Sequence, residues 1–237
     1  KFYNAIVNKT NMKKILLTNM VFAVSLICMA QSGNSNLLYA RDSALRAMIH
    51  QDSSKVEHQY AEKERWQKLL STEEFPVINA GKYSGVFPVS GVTEVPDPSM
   101  KYKLLFEIAQ KNPDSLLNEP DQNLVEIARI VNLHVASGIP LKNIWVVVVV
   151  HGGALNSIST NPSYQKRFKM NNPSLNLIKD LEKIGTRFIS CGQSMEFIDI
   201  KKSELLPEVK VSFTAQTALT GYQLQGYVLK TLLPEDK

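Results

Sequence analysis

The segment that most constrains the fold is an apolar strand in the second half of the chain. Residues 144–150 have the sequence Ile-Trp followed by five consecutive valines. β-branched residues favour extended structure, and no polar residue alternates with them here. The pattern therefore predicts a central strand over Asn143–Val150 that is buried on both faces. Such strands occur in parallel sheets covered by helices, so the predicted fold class is α/β.

The sequence around this strand alternates between strand-like and helix-like patterns. Helices are indicated after Pro173 and near Ala215–Gln225. The alternation predicts a mostly parallel, five-stranded sheet with helices on both faces. The other four strands are predicted at Tyr102–Ala109, Arg187–Ser190, Val209–Phe213 and Tyr227–Leu229.

One helix is predicted in more detail than the others. Asp121 is suited to cap its N-terminus, and Gly138 and Pro140 end it. Its apolar residues recur every three or four positions, which is the stripe of a helix that covers a sheet. These residues are Leu124, Ile127, Ala128, Val131 and Val135.

The region before the sheet has two parts. Residues 37–70 contain no glycine or proline and have a helical pattern, whereas Phe75–Met100 is rich in both and predicts an extended connector. The aromatic residues of the connector suggest that it packs against other structure. We therefore divide the chain into residues 1–30, a helical then Pro/Gly-rich extension over 31–100, and an α/β domain over 101–237.

Residues 1–30 have the pattern of a secretory signal peptide. A basic start at Met12-Lys13-Lys14 precedes an uncharged apolar run that ends near Ala30, and we expect Met12 to be the true start. The predicted location is therefore periplasmic or secreted, with no stable membrane span after cleavage. Two alternatives are an uncleaved anchor and a lipoprotein acylated at Cys28, although Ile27 disfavours the second.

The formal charge of +5 does not indicate a nucleic-acid-binding protein. Residues 1–30 hold four of the 27 basic residues and no acidic residue, which leaves 23 basic and 22 acidic residues downstream. The basic cluster at residues 166–169 is expected to be a solvated helix end. No nucleic-acid partner is predicted.

Cysteine usage leaves one residue of interest. The chain has two cysteines, and only Cys191 remains once the leader is removed. A single cysteine is a reactive thiol, an intermolecular disulfide partner or an inert buried side chain. The four histidines show no ligand spacing with it, so neither a metal nor another cofactor is expected.

Two loops directly follow predicted strands. One contains His151-Gly152-Gly153 and the other contains Cys191-Gly192-Gln193-Ser194. In parallel sheets, ligands gather at the carboxyl ends of strands, and glycine allows a close approach of the backbone. If a helix starts at Gly192, its N-terminus lowers the pKa of Cys191. Cys191 and His151 are therefore the candidate catalytic residues, and Gly152, Gly153, Gly192, Gln193 and Ser194 are the candidate ligand-binding residues.

The order of several segments resembles the DsrE/DsrF-like sulfur-relay superfamily. The matching pieces run from Tyr102 to Leu229. They are KLLFEIA, VVVHGGAL, FISCGQSM, ELLPEVKVSFTA and LQGYVL. The resemblance implies a flavodoxin-like α/β fold and assembly into trimers or hexamers. It also implies that Cys191 accepts persulfide sulfur from a donor protein and passes it to an acceptor.

Three functions follow as hypotheses. The first is an exported thiol carrier that uses Cys191, with His151 as its modulator. The second is a non-catalytic, oligomeric module that binds a small ligand at the strand ends. The third is an envelope protein whose N-terminal helices dock a partner.

Overall fold

The structure, a computed structural model, describes residues 35–230 and residue 232. The predicted leader over residues 1–30 lies outside the described residues. The chain divides into two compact units after Lys68.

One long helix, α1, covers Ser35–Leu70 and includes every described residue of the first unit. Its 36 residues correspond to a length of about 54 Å, and the helical prediction for this region is confirmed. Apolar side chains along it, including Met48, Ile49 and Trp66, are exposed. Among the residues that the structure describes, no helix has the length and hydropathy needed to cross a membrane.

The second unit is built on a five-stranded sheet in which all strands are parallel. The strand order is β4-β3-β2-β1-β5, and the predicted α/β class is confirmed. The strands are β1 (Tyr102–Ile108), β2 (Ile144–Val150), β3 (Arg187–Cys191), β4 (Lys210–Ser212) and β5 (Val228–Lys230).

Five helices connect the strands. Asp121 caps the first, as predicted, because its carboxylate accepts a hydrogen bond from the Asn123 N–H at 2.9 Å. The Ser157 hydroxyl also donates to this buried carboxylate. The helices are α2 (Gln122–Ala136), α3 (Asn161–Phe168), α4 (Leu175–Lys183), α5 (Gly192–Phe197) and α6 (Ala215–Leu224). Short 3₁₀ segments cover Asp114–Leu116, Leu141–Asn143, Gly152–Ile158 and Lys202–Glu204.

The two faces of the sheet are covered unequally. Residues of α2, α4 and α5 pack on one face, around Phe106 and Val148. In the core on the other face, α6 is the helix that packs against the strands, around Leu105 and Val147. The prediction that β2 is buried on both faces therefore fails at one position. Trp145 is 41% exposed because the thinner layer leaves the start of β2 open.

The connector over residues 71–100 packs against α2 through a buried asparagine. The Asn132 Oδ1 atom accepts the N–H groups of Val77 and Ile78 at 3.0 and 3.1 Å. Its Nδ2 atom donates to the carbonyls of Ile78 and Ser84 at 2.7 and 2.8 Å. A single side chain thus satisfies four backbone groups of the connector.

The apolar anchors of the connector are aliphatic. Ile78 and Val86 are buried, whereas the aromatic Tyr83 is 53% exposed. The connector therefore packs as expected; of its aromatic side chains, Phe75 and Phe87 are partly buried and Tyr83 is not. It belongs to the same compact unit as the sheet.

Replacing Asn132 by alanine is expected to destabilise the second unit by about 2 kcal/mol, since it leaves buried backbone groups without partners. Thermal unfolding checks the loss, and limited proteolysis should cut the connector sooner. Asn118 is exposed, so Asn118→Ala is the matched control and should change stability by no more than about 0.5 kcal/mol. Equal stability of the two variants would contradict the anchoring role.

The basic cluster at residues 166–169 is only partly solvated. Lys166 and Lys169 are exposed at the end of α3. Arg167 instead contacts Glu204 at 3.3 Å and donates to the Asp199 carbonyl at 2.9 Å. The expectation of a solvated helix end is therefore wrong for Arg167, which ties α3 to the segment that precedes β4.

Candidate functional site

Three polar side chains lie where β1, β2 and β3 end, on the face that α6 covers. Val149 pairs with Ile189 and Val150 with Ser190. The residues that come next along the chain after these pairs are His151 and Cys191. Glu107 lies opposite Val149 on β1. The topology thus places Glu107, His151 and Cys191 near the carboxyl ends of three adjacent strands.

Cys191 is the last residue of β3 and the N-cap of α5. Its thiol is free, and the residue is only 4% exposed. The Ser194 N–H donates to its sulfur at 3.5 Å. The hydroxyls of Ser194 and Thr214 and the N–H of Ala215 also lower the pKa of this thiol. Groups at the starts of α5 and α6 therefore act on one sulfur atom.

These donors decide the acidity of the thiol. Burial raises the pKa of Cys191, because it disfavours the thiolate, but the hydrogen bonds from Ser194, Ala215 and Thr214 lower it. The hydrogen bonds outweigh burial, so the pKa lies below its ordinary value. The site consequently favours the thiolate, which is the nucleophilic form of cysteine.

Gly192 lets the loop after β3 lie against the loop after β4. A Cβ atom at Gly192 would be 2.9 Å from the Ser212 carbonyl oxygen and 3.3 Å from that of Phe213. The Gln193 N–H donates to the Phe213 carbonyl at 3.2 Å, and the Gln193 side chain is exposed. The predicted helix start at Gly192 is confirmed. This close contact brings Thr214 and Ala215 to the sulfur.

His151 is held by Glu107, which the sequence analysis did not single out. The His151 Nε2 atom lies 2.9 Å from Glu107 Oε1, and both side chains are partly exposed. Because a carboxylate only accepts hydrogen bonds, Nε2 carries the proton and Nδ1 is left as the other ring nitrogen. The available signal was an acidic residue inside the otherwise apolar end of KLLFEIA.

The two glycines after His151 differ in their surroundings. Gly152 has a φ of +54°, and a Cβ atom there would be 2.8 Å from the Ala109 carbonyl oxygen. The nearest atoms to a Cβ at Gly153 belong to Lys111 and lie at 3.5 Å or more. The turn after β2 therefore requires glycine at the first position and not at the second.

Over residues 35–230 and 232, His, Cys, Asp and Glu side chains form no group of three or more that could hold a metal ion. The chemical feature that the site does show is a cysteine with a lowered pKa.

Replacing Ser194 by alanine is expected to raise the pKa of Cys191, since the hydroxyl donor is lost, whereas replacing exposed Ser203 should leave it unchanged. The rise is expected because one hydrogen bond to the thiolate is lost. Thiolate absorbance measured against pH, with the Cys191→Ser spectrum subtracted, gives the pKa. An unshifted titration in Ser194→Ala would contradict the assignment of donors.

The shifted pKa also links stability to pH. Because the folded-state pKa of Cys191 is depressed, ionisation stabilises the folded chain. This contribution is fully present above the unfolded-state value of about 8.5 and is lost as the pH falls through the lower folded-state pKa.

Parts of this chain are similar to known proteins. The model of the DsrE/DsrF-like family matches residues 123–231. Among solved structures, the chain is similar to a protein of unknown function, MTH1491, from Methanobacterium thermoautotrophicum, with 19% identity and a TM-score of 0.40. That match covers 54% of this chain and 97% of the other. A search of curated proteins found no match.

The family match begins one residue inside α2 and ends just after β5. It therefore spans four of the five strands, as well as the Cys191 and His151 loops. The match to the DsrE/DsrF-like family thus lies within the α/β domain of this chain.

Proposed function

We propose that the α/β domain is a thiol-based carrier of sulfane sulfur, with Cys191 as the acceptor. The observation that carries the proposal is the set of donors around the Cys191 sulfur. Backbone and hydroxyl groups of Ser194, Thr214 and Ala215 stabilise the thiolate despite burial of the residue. An inert core cysteine needs no such donors, whereas a nucleophilic one does.

The transfer is an exchange at sulfur with no net oxidation. The Cys191 thiolate attacks the outer sulfur of a donor persulfide, and a new S–S bond forms as the bond in the donor breaks. The donor leaves as a thiolate, and the proton stays on the transferred sulfur. An acceptor thiolate then attacks the outer sulfur on Cys191, takes it and restores the Cys191 thiolate.

His151 is the modulator in this proposal. Glu107 engages Nε2 and fixes the orientation of the ring. Nδ1 is then the nitrogen that takes the proton from the Cys191 thiol before attack. The place of His151 and Cys191 at the carboxyl ends of adjacent strands supports this role.

Export and self-association belong to the same proposal. The pattern of residues 1–30 supports export. Assembly into trimers or hexamers is supported by the family resemblance and by two exposed aromatic residues near the Cys191 loop, Phe197 and Phe213, which are 88% and 79% exposed.

The direct experiment follows sulfur onto and off the folded chain. After treatment with polysulfide, intact mass spectrometry should show one added sulfur per chain, and peptide mapping should place it on Cys191. Addition of a low-molecular-weight thiol should remove it and yield the persulfide of that thiol. Loading that no thiol discharges would refute a carrier function, as would the absence of loading.

A further inference from the structure

A groove beside α6 is separate from the Cys191 site. β3 and β4 form its floor, α6 forms its wall, and its volume is about 320 Å³. We call it the α6 groove and define it by Arg187, Ile189, Lys210, Thr217, Ala218 and Tyr222. Its volume is that of a small-molecule site, for which about 300–1,000 Å³ is typical. Cys191 does not line it.

The charged residues that line the α6 groove are both basic. Lys210 on β4 lies opposite Ile189, and Arg187 is two residues before Ile189 on β3. Both basic side chains therefore lie on the groove face of the sheet. No acidic residue lines the groove, and neither cation forms an ion pair within the described part of the chain. A concave surface with two unpaired cations attracts anions.

The groove also offers a flat apolar surface. The guanidinium of Arg187 lies 5.6 Å from the centre of the Tyr222 ring. Ile189 and Ala218 belong to the apolar core below this pair. A planar hydrocarbon group fits against such a surface, while Thr217 adds a polar group at the wall.

We propose that the α6 groove binds a small amphiphilic anion. Its planar apolar part packs on Tyr222 and the core beneath it. Its carboxylate, sulfonate or phosphate group interacts with Arg187 and Lys210. This binding does not depend on the reactivity of Cys191.

A pair of fluorescent dyes tests the proposal on the full chain. 8-Anilinonaphthalene-1-sulfonate is the anionic probe, and N-phenyl-1-naphthylamine is its neutral counterpart without the sulfonate. In the variant Arg187→Gln/Lys210→Gln, the affinity for the anionic dye should fall about 10-fold for each lost cation. The affinity for the neutral dye should change less than about twofold, since the apolar surface is retained.

Two control variants complete the test. Lys142→Gln removes the same charge at an exposed position outside the groove, and Cys191→Ser removes the thiol; both should bind the anionic dye like the wild type. If circular dichroism shows that the double variant is unfolded, the dye affinities are measured on the single variant Lys210→Gln. Unchanged anionic-dye affinity in the folded variant, or an equal loss in Lys142→Gln, would overturn the proposal.

Discussion

Replacing Cys191 by serine is expected to abolish sulfur loading while leaving the fold intact. Serine is close in volume to cysteine and can keep the hydrogen bonds from Ser194 and Ala215. Its hydroxyl, however, cannot form a stable persulfide, so the loss should be complete and not graded. Mass spectrometry after polysulfide treatment measures the loss, and thermal unfolding checks that the variant is folded.

The other cysteine of the chain supplies the matched control. Cys28 lies in the apolar part of the predicted leader, so in a chain that keeps residues 1–30 the variant Cys28→Ser should load sulfur at Cys191 like the wild type. Loss of loading in Cys28→Ser alone, with Cys191→Ser still active, would reverse the assignment of the acceptor.

Replacing Gly152 by alanine is expected to destabilise the domain by about 2–4 kcal/mol. The left-handed backbone accounts for about 1–2 kcal/mol. The contact of the new Cβ with the Ala109 carbonyl accounts for a further 1–2 kcal/mol or so. Thermal unfolding should show a midpoint lower by about 4–16 °C.

The variant Gly153→Ala shows whether the destabilisation in Gly152→Ala is due to the steric contact or to any substitution in this loop. At Gly153 a Cβ makes only ordinary contacts with Lys111, so Gly153→Ala should stay within about 0.5 kcal/mol of the wild type. Similar destabilisation in both variants would show that the close approach at Ala109 is not the reason for glycine at position 152.

The interior of the sheet was predictable from local patterns. The run of valines predicted the bounds of β2 to within one residue. The N-cap at Asp121 and the apolar residues that recur after it predicted α2. Hydrophobic periodicity and capping act over a few residues, so the sequence displays them directly. At the sheet edges the bounds shifted: β5 covers Val228–Lys230 because its pairing with β1 determines which residues are extended.

The candidate site was predictable only in part. Cys191 and His151 lie at the ends of strands visible in the sequence, so their place at one edge of the sheet was inferable from strand order. Their partners were not, because Glu107 and Thr214 reach them through register and loop packing between distant segments. The exposure of Trp145 was likewise not predictable from the sequence, since it depends on how far α6 covers the sheet.

The most direct test of the central claim is the pH dependence of iodoacetamide labelling of Cys191 in the folded chain, resolved by peptide mass spectrometry. Since Cys191 is 4% exposed, labelling should be slower than that of a free thiol. Its midpoint should still fall below about 8.5, because the surrounding donors stabilise the thiolate. Labelling that appears only in denaturant would contradict the account and make Cys191 a structural core residue.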